Sequence, residues 1–212
     1  MLGISPADLL ARLIVLFVAM PIHEWAHAWS AHELGDDTPR WEGRLSLNPM
    51  AHLDFLGSLL ILLTGFGWAK PVPVNPYRMR MAPRTGMAIS AFAGPLSNLV
   101  VAMICALPFR LGLLNVEDVW GSFSLAAIVF AIADISINLA LFNLLPFYPL
   151  DGEKVLVGIL PPRWGDYLLS IRPYSPYILL GLLFLLPWLG LNIIGWLIGL
   201  VKLPLQLLLF WL

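Results

Sequence analysis

Apolar runs too long for a small soluble core constrain this chain most. One extends from Leu9 to Trp29, and others cover much of residues 86–111, 120–145 and 188–212. About 20 residues of helix cross a bilayer core, and inside it every backbone N–H and C=O must be satisfied within the protein. Composition agrees, since 59% of the 212 residues are hydrophobic and 12% charged, against about 45–50% and about 25% in a soluble domain. The expected fold is an all-α polytopic membrane protein with about five transmembrane helices. A formal net charge of −1 provides no basic field for nucleic acid. The lone Cys105 excludes an intramolecular disulfide. The first apolar run lacks a basic start followed by a small-residue cleavage site, so it reads as mature structure. With no repeat or low-complexity linker, residues 1–212 are expected to form a single membrane-embedded domain, its core at 6–160 and its C-terminal helices at 173–212.

The first run contains His23-Glu24-Trp25-Ala26-His27. Histidines four apart on a helix share a face, one turn apart, so both imidazoles can reach one metal ion. A glutamate beside the first histidine can then take a proton from a water at that metal, the chemistry of a zinc peptidase. In a soluble protein a five-residue HExxH match often occurs by chance. In a bilayer-facing helix, two histidines and a carboxylate are costly, and intramembrane ionisable residues point to function.

The first helix is expected from Pro6 to about Leu34, with Ser5 as N-cap and Gly35 and Asp36-Asp37 as its end. In residues 40–48, Trp41, Gly43, Leu45 and Leu47 alternate with Glu42, Arg44 and Ser46, the period of a strand. Pro71-Val72-Pro73-Val74-Asn75 is a second candidate, confined to an edge by its prolines. Together they predict a small β element or, failing that, an extended loop. Phe55 to Phe66 is short for a span and suits a re-entrant or interfacial segment. Further helices are expected at Gly86–Leu111, Trp120–Leu145, Tyr174–Leu186 (broken by Pro173 and Pro176) and Trp188–Leu212.

A second constellation runs from Asn143 to Gly152, where Pro146 and Pro149 interrupt the chain. Asp151 is the only acidic residue between Asp134 and Glu153. Alone it would read as a helix N-cap; with His23 and His27 it could complete a site of two imidazoles and one carboxylate. The pairing depends on topology. If 55–66 crossed the membrane, Asp151 would face the opposite side from the histidines; if it re-enters, they share a side. Arg40, Arg44, Lys70, Arg78, Arg80 and Arg84, together with Lys154, Arg163 and Arg172, then all lie on that side, leaving Arg110 as the main exception. The bias of cationic loops places them, and the site, at the cytoplasmic face.

With both motifs in hand, the chain resembles the site-2 protease family of intramembrane zinc metalloproteases. The likeness rests on HExxH at His23–His27, on NxxPxxxLDG at Asn143–Gly152 and on Gly94-Pro95-Leu96-Ser97-Asn98. Residues 43–49 and 67–76 are like those of compact bacterial members. The resemblance implies one zinc per chain held by His23, His27 and Asp151, Glu24 as catalytic base, and Asn98 and Asn143 as contacts to substrate. It implies cleavage of transmembrane segments of membrane-anchored substrates in regulated intramembrane proteolysis, by a multi-pass protein of the cell membrane. Expected partners are the lipid bilayer and a membrane-protein substrate, with no nucleic acid. The chain departs from larger members in lacking an inserted PDZ domain and a nucleotide-sensing CBS domain. For Asn98 and Asn143 a structural role, as buried amides bonding backbone, stands beside the catalytic one. His32, His52 and Asp54 read as locally hydrogen-bonded groups, with a supporting role at the metal as the alternative for His52 and Asp54. A prenyl-processing type of zinc protease would need a third ligand from a downstream glutamate, and no fitting ExxxD follows. A metal-binding scaffold or transporter is the remaining alternative. Zinc itself is read from ligand type, since other divalent metals use similar donors.

Overall fold

The computed structural model describes residues 6–64, 67–120 and 124–210, which places Ser5, Gly65, Phe66 and the last two residues outside the described part. Five helices are long and apolar enough to cross a membrane, and no strand forms among the described residues. Among the described residues, seven helices longer than the short turn at Thr38–Trp41 organise the chain: α1 (residues 6–33), α2 (Phe55–Thr64), α3 (Pro83–Arg110), α4 (Leu125–Asn143), α5 (Asp151–Ile159), α6 (Pro162–Trp188) and α7 (Ile193–Phe210).

The α1 helix is continuous but changes pitch. A π turn at Val15–Ala19 lies just ahead of Pro21. Proline has no N–H to donate, and in a regular helix its ring would press on the Phe17 carbonyl. The wider turn, in which Met20 N–H reaches Val15 O, accommodates both. The arrangement recurs in α6, where a π turn at Gly181–Leu185 precedes Pro187. The helix expected to start at Tyr174 instead begins at Pro162 and runs through Pro173 and Pro176. Both prolines fall in the first turn of successive helical segments, a 3₁₀ turn and then an α-helix, where a missing N–H costs least. At the front of α4 the chain makes a 3₁₀ turn at Val116–Trp120, and Ser124 then caps the helix by accepting from Ala127 N–H.

The α3 helix is the hub and packs against α1, α4 and α5. Small side chains allow this closeness: Ala88, Ala91, Ala102 and Ala106 of α3 and Ala126, Ala133 and Ala140 of α4 are all buried, the interface expected where lipid offers no hydrophobic drive between helices. Phe210 of α7 packs on Phe109 and Phe130. Mid-way along α4, Asp134 receives Lys202 at 2.7 Å and Gln206 at 2.5 Å, both from α7, and Asn138 at 3.1 Å.

The two expected strands are absent. Among the described residues the pairing is a single bridge between Leu53 and Ala69, with Lys70 N–H donating to His52 O at 2.7 Å. The alternation in 40–48 assigned Arg44 to a polar face, but Arg44 is buried. Its guanidinium donates to the carbonyls of Ala51 (2.5 Å), Lys70 (3.4 Å) and Pro71 (3.3 Å), so a side chain occupies acceptors that a neighbouring strand would have used. The α2 helix has 10 residues, about 15 Å at 1.5 Å per residue and half of a bilayer core.

Candidate active site

One turn apart on α1, the His23 and His27 rings meet edge to face with centroids 4.6 Å apart and Nε2 atoms 3.0 Å apart. Asp151, the first residue of α5, places Oδ2 3.4 Å from His23 Nε2 and 3.1 Å from His27 Nε2. All three residues are buried and could hold one metal ion. Donors about 2.0–2.1 Å from a tetrahedral zinc stand about 3.3 Å from one another, so the triad matches that metal in both chemistry and spacing.

The remaining ring nitrogens decide which atoms face the metal position. His27 Nδ1–H donates to Ser90 O at 2.7 Å, leaving the Nε2 lone pair free. Ser90 Oγ in turn donates to His27 O at 3.1 Å. The Asn98 amide lies 3.1 Å from His23 Nδ1. With the amide nitrogen toward the ring, the buried Oδ1 has no partner. The opposite amide orientation puts Oδ1 on Nδ1–H and frees Nε2. Both imidazoles thus present Nε2 to one point, held from α3.

Gly94 makes this approach possible. A Cβ there would overlap His27 Nε2 and stand 2.7 Å from His23 Cε1. A Cβ at Gly152 would collide with the carbonyls of Leu144 and Leu145, so the LDG glycine lets the start of α5 pass that backbone. The Lys154 ammonium supplies a charge opposite to that of the buried Asp151 carboxylate. Lys154 Nζ binds the other oxygen, Oδ1, at 3.1 Å.

Over 187 residues the chain is 40% identical to the protein named "Putative zinc metalloprotease YwhC" of Bacillus subtilis (strain 168), covering 86% of this chain and 84% of that one. The chain belongs to the site-2 protease family. A second relative, named "Putative zinc metalloprotease Rip2", of Mycobacterium tuberculosis (strain ATCC 25618 / H37Rv), is 32% identical over 191 residues, 87% of this chain and 68% of that one. No family model and no solved structure matches the chain.

The triad opens on a cleft of about 590 Å³, which Glu24, Asn98 and Asn143 also line. Asn143 donates from Nδ2 to Leu139 O of its own helix at 3.0 Å. The segment from Gly67 to Val74 contributes to the same wall. His32 and His52 lie apart from the triad in local contacts, His32 Nδ1 2.7 Å from Asp37 Oδ1 and His52 Nε2 2.6 Å from Ser46 O. Sequence reasoning missed Ser90, although it lies four residues before Gly94 and so shares its helix face. It also missed Tyr148 and Arg172 on the cleft wall; the guanidinium lies 4.2 Å from the Tyr148 ring centroid. No local pattern announces that contact.

Proposed function

We propose that this chain is an intramembrane zinc metalloendopeptidase that cleaves transmembrane segments of membrane-anchored proteins, as in regulated intramembrane proteolysis. One observation carries the reading. Two α1 imidazoles and the α5 carboxylate converge at zinc-ligand spacing, and Glu24, adjacent to His23, lines the same cleft.

Zinc bound by His23, His27 and Asp151 supplies Lewis acidity toward a scissile carbonyl and lowers the pKa of a water towards about 7. Glu24 accepts the proton of the attacking water and returns it to the leaving amine. Ser90 and Asn98 fix the two imidazoles. For Asn98, expected either to contact substrate or to act as a structural amide, the contact with His23 supports imidazole orientation. Asn143, on the cleft wall, is the amide left to bind the reacting carbonyl.

A multi-pass reading is supported by the five span-length helices. The histidines end the first and Asp151 follows the third, so a shared side requires α2 to re-enter or lie at the interface. Its length favours that. Cationic loops around the site support a cytoplasmic-facing active site in the cell membrane. A helical substrate hides its peptide bonds in its own hydrogen bonds, so it must be extended before cleavage. The Pro71–Asn75 backbone beside the site is the candidate partner for strand addition. The scaffold or transporter reading has no support of its own, whereas the residues proposed as base and ligands line one cleft.

The decisive test is Glu24→Gln in detergent-purified protein against a labelled transmembrane peptide. Cleavage is expected to fall by about 10²–10⁴-fold, with zinc content unchanged. Cleavage at the unaltered rate in the variant would refute the assignment.

A further inference from the structure

The 70–75 segment is tied down at both ends. At its start, Lys70 N–H donates to His52 O at 2.7 Å. The buried Arg44 guanidinium then takes Lys70 O at 3.4 Å and Pro71 O at 3.3 Å, while a third contact, to Ala51 O at 2.5 Å, fixes it to the preceding loop. At its far end, Asn75 N–H donates to Asp36 Oδ2 at 2.6 Å. Asp36 is 0% exposed, and its Oδ1 is itself held by Thr38 N–H (3.0 Å) and Thr38 Oγ1 (2.6 Å).

Between these anchors, no main-chain group of Val72, Pro73 or Val74 has a hydrogen-bond partner among the described residues. Yet both valines line the catalytic cleft. Each residue before a proline is pushed toward extended backbone, which applies to Lys70, Val72 and Asn75, the last observed at φ −109° and ψ 97°. In extended chain, the Val72 and Val74 N–H groups fall on one edge. Burying a guanidinium on three carbonyls is expensive unless the contacts secure something. What they secure here is the placement of a strap whose middle has no main-chain hydrogen bond among the described residues.

We propose that Arg44 and Asp36 are positioning residues that clamp the two ends of this strap and hold the Val72–Val74 main chain in register for an extended substrate. The inference rests on the peptidase reading and adds the residues that set its substrate register. Neither clamp touches His23, His27 or Asp151 in the contacts above. Altering one therefore weakens the grip on an extended chain while leaving the metal position as it was.

The test compares two probes by their dissociation constants. One is acetohydroxamate, a bare zinc-binding group; the other is a hydroxamate carrying an extended tripeptide. In the unaltered protein the tripeptide form binds more tightly. Arg44→Lys keeps the charge but loses the planar fork. Asp36→Asn keeps an oxygen for Thr38 and turns an amide NH₂ toward Asn75 N–H. Either variant is expected to lose about tenfold in tripeptide affinity, the worth of one or two main-chain hydrogen bonds. Acetohydroxamate affinity and zinc content stay unchanged. A tripeptide advantage retained in both variants overturns the proposal and leaves the peptidase reading standing. Equal loss of both probes assigns the clamps to the metal site's own fold and also overturns it. If the unaltered protein binds neither probe, the peptidase reading falls and takes this inference with it.

Discussion

Gly94 occupies the point where α3 comes against the two imidazoles, and no side chain fits there. Gly94→Ala must displace His27 and His23 together, so zinc affinity is expected to drop by at least the about 10–100-fold typical of a lost supporting contact. Titration against a competing chelator measures this; unchanged affinity would show that the rings have room to move. Asn98 gives a finer version. Asn98→Ala removes the acceptor for His23 Nδ1–H and is expected to weaken zinc by about 10–100-fold, whereas Asn98→Asp, which keeps an oxygen there, retains most of it. Retained affinity in the alanine variant would return Asn98 to the substrate. At this scale the sequence was legible where chemistry follows a short spacing. His23, Glu24 and His27 announce themselves because 3.6-residue periodicity sets them side by side. Asp151 needed both motifs, since a carboxylate after a proline-broken helix also suits an N-cap. Arg44 was misread because alternation reports polarity and cannot see acceptors brought in from residues 51, 70 and 71.

At the scale of elements, α7 offers the clearest prediction. Its tie to α4 runs through Asp134, which receives Lys202 and Gln206. Replacing Lys202 by Met leaves a carboxylate short of its cation in a span. Polar contacts between membrane helices are worth about 1–2 kcal/mol, so the thermal midpoint in detergent should fall. The double change Asp134→Leu with Lys202→Met should regain part of the loss, because the uncompensated charge is then gone. A double variant no more stable than Lys202→Met would count against the pair as the tie. Helix existence was readable from apolar run length, but helix ends were not. Pro173 and Pro176 look like breaks in isolation, yet they open successive helical segments within α6. Pro21 and Pro187 persist because π turns precede them, a pitch change that hydrophobic periodicity does not encode.

For the whole molecule, one topology must bring residues 23, 27 and 151 to the same face. Because Cys105 is the only cysteine, single-cysteine reporters are simple to build in a Cys105→Ala background. Cysteines at Arg40, ahead of α2, and at Lys154 should react from the same side of sealed vesicles; opposite sides would require α2 to cross. The account's central claim is that the two distant motifs form one metal site, and zinc content tests it most directly. Purified without chelator, the unaltered protein should hold one zinc per chain, and Asp151→Ala, folded to the same extent, should hold little or none. Equal zinc in both would remove Asp151 from the site and contradict the account.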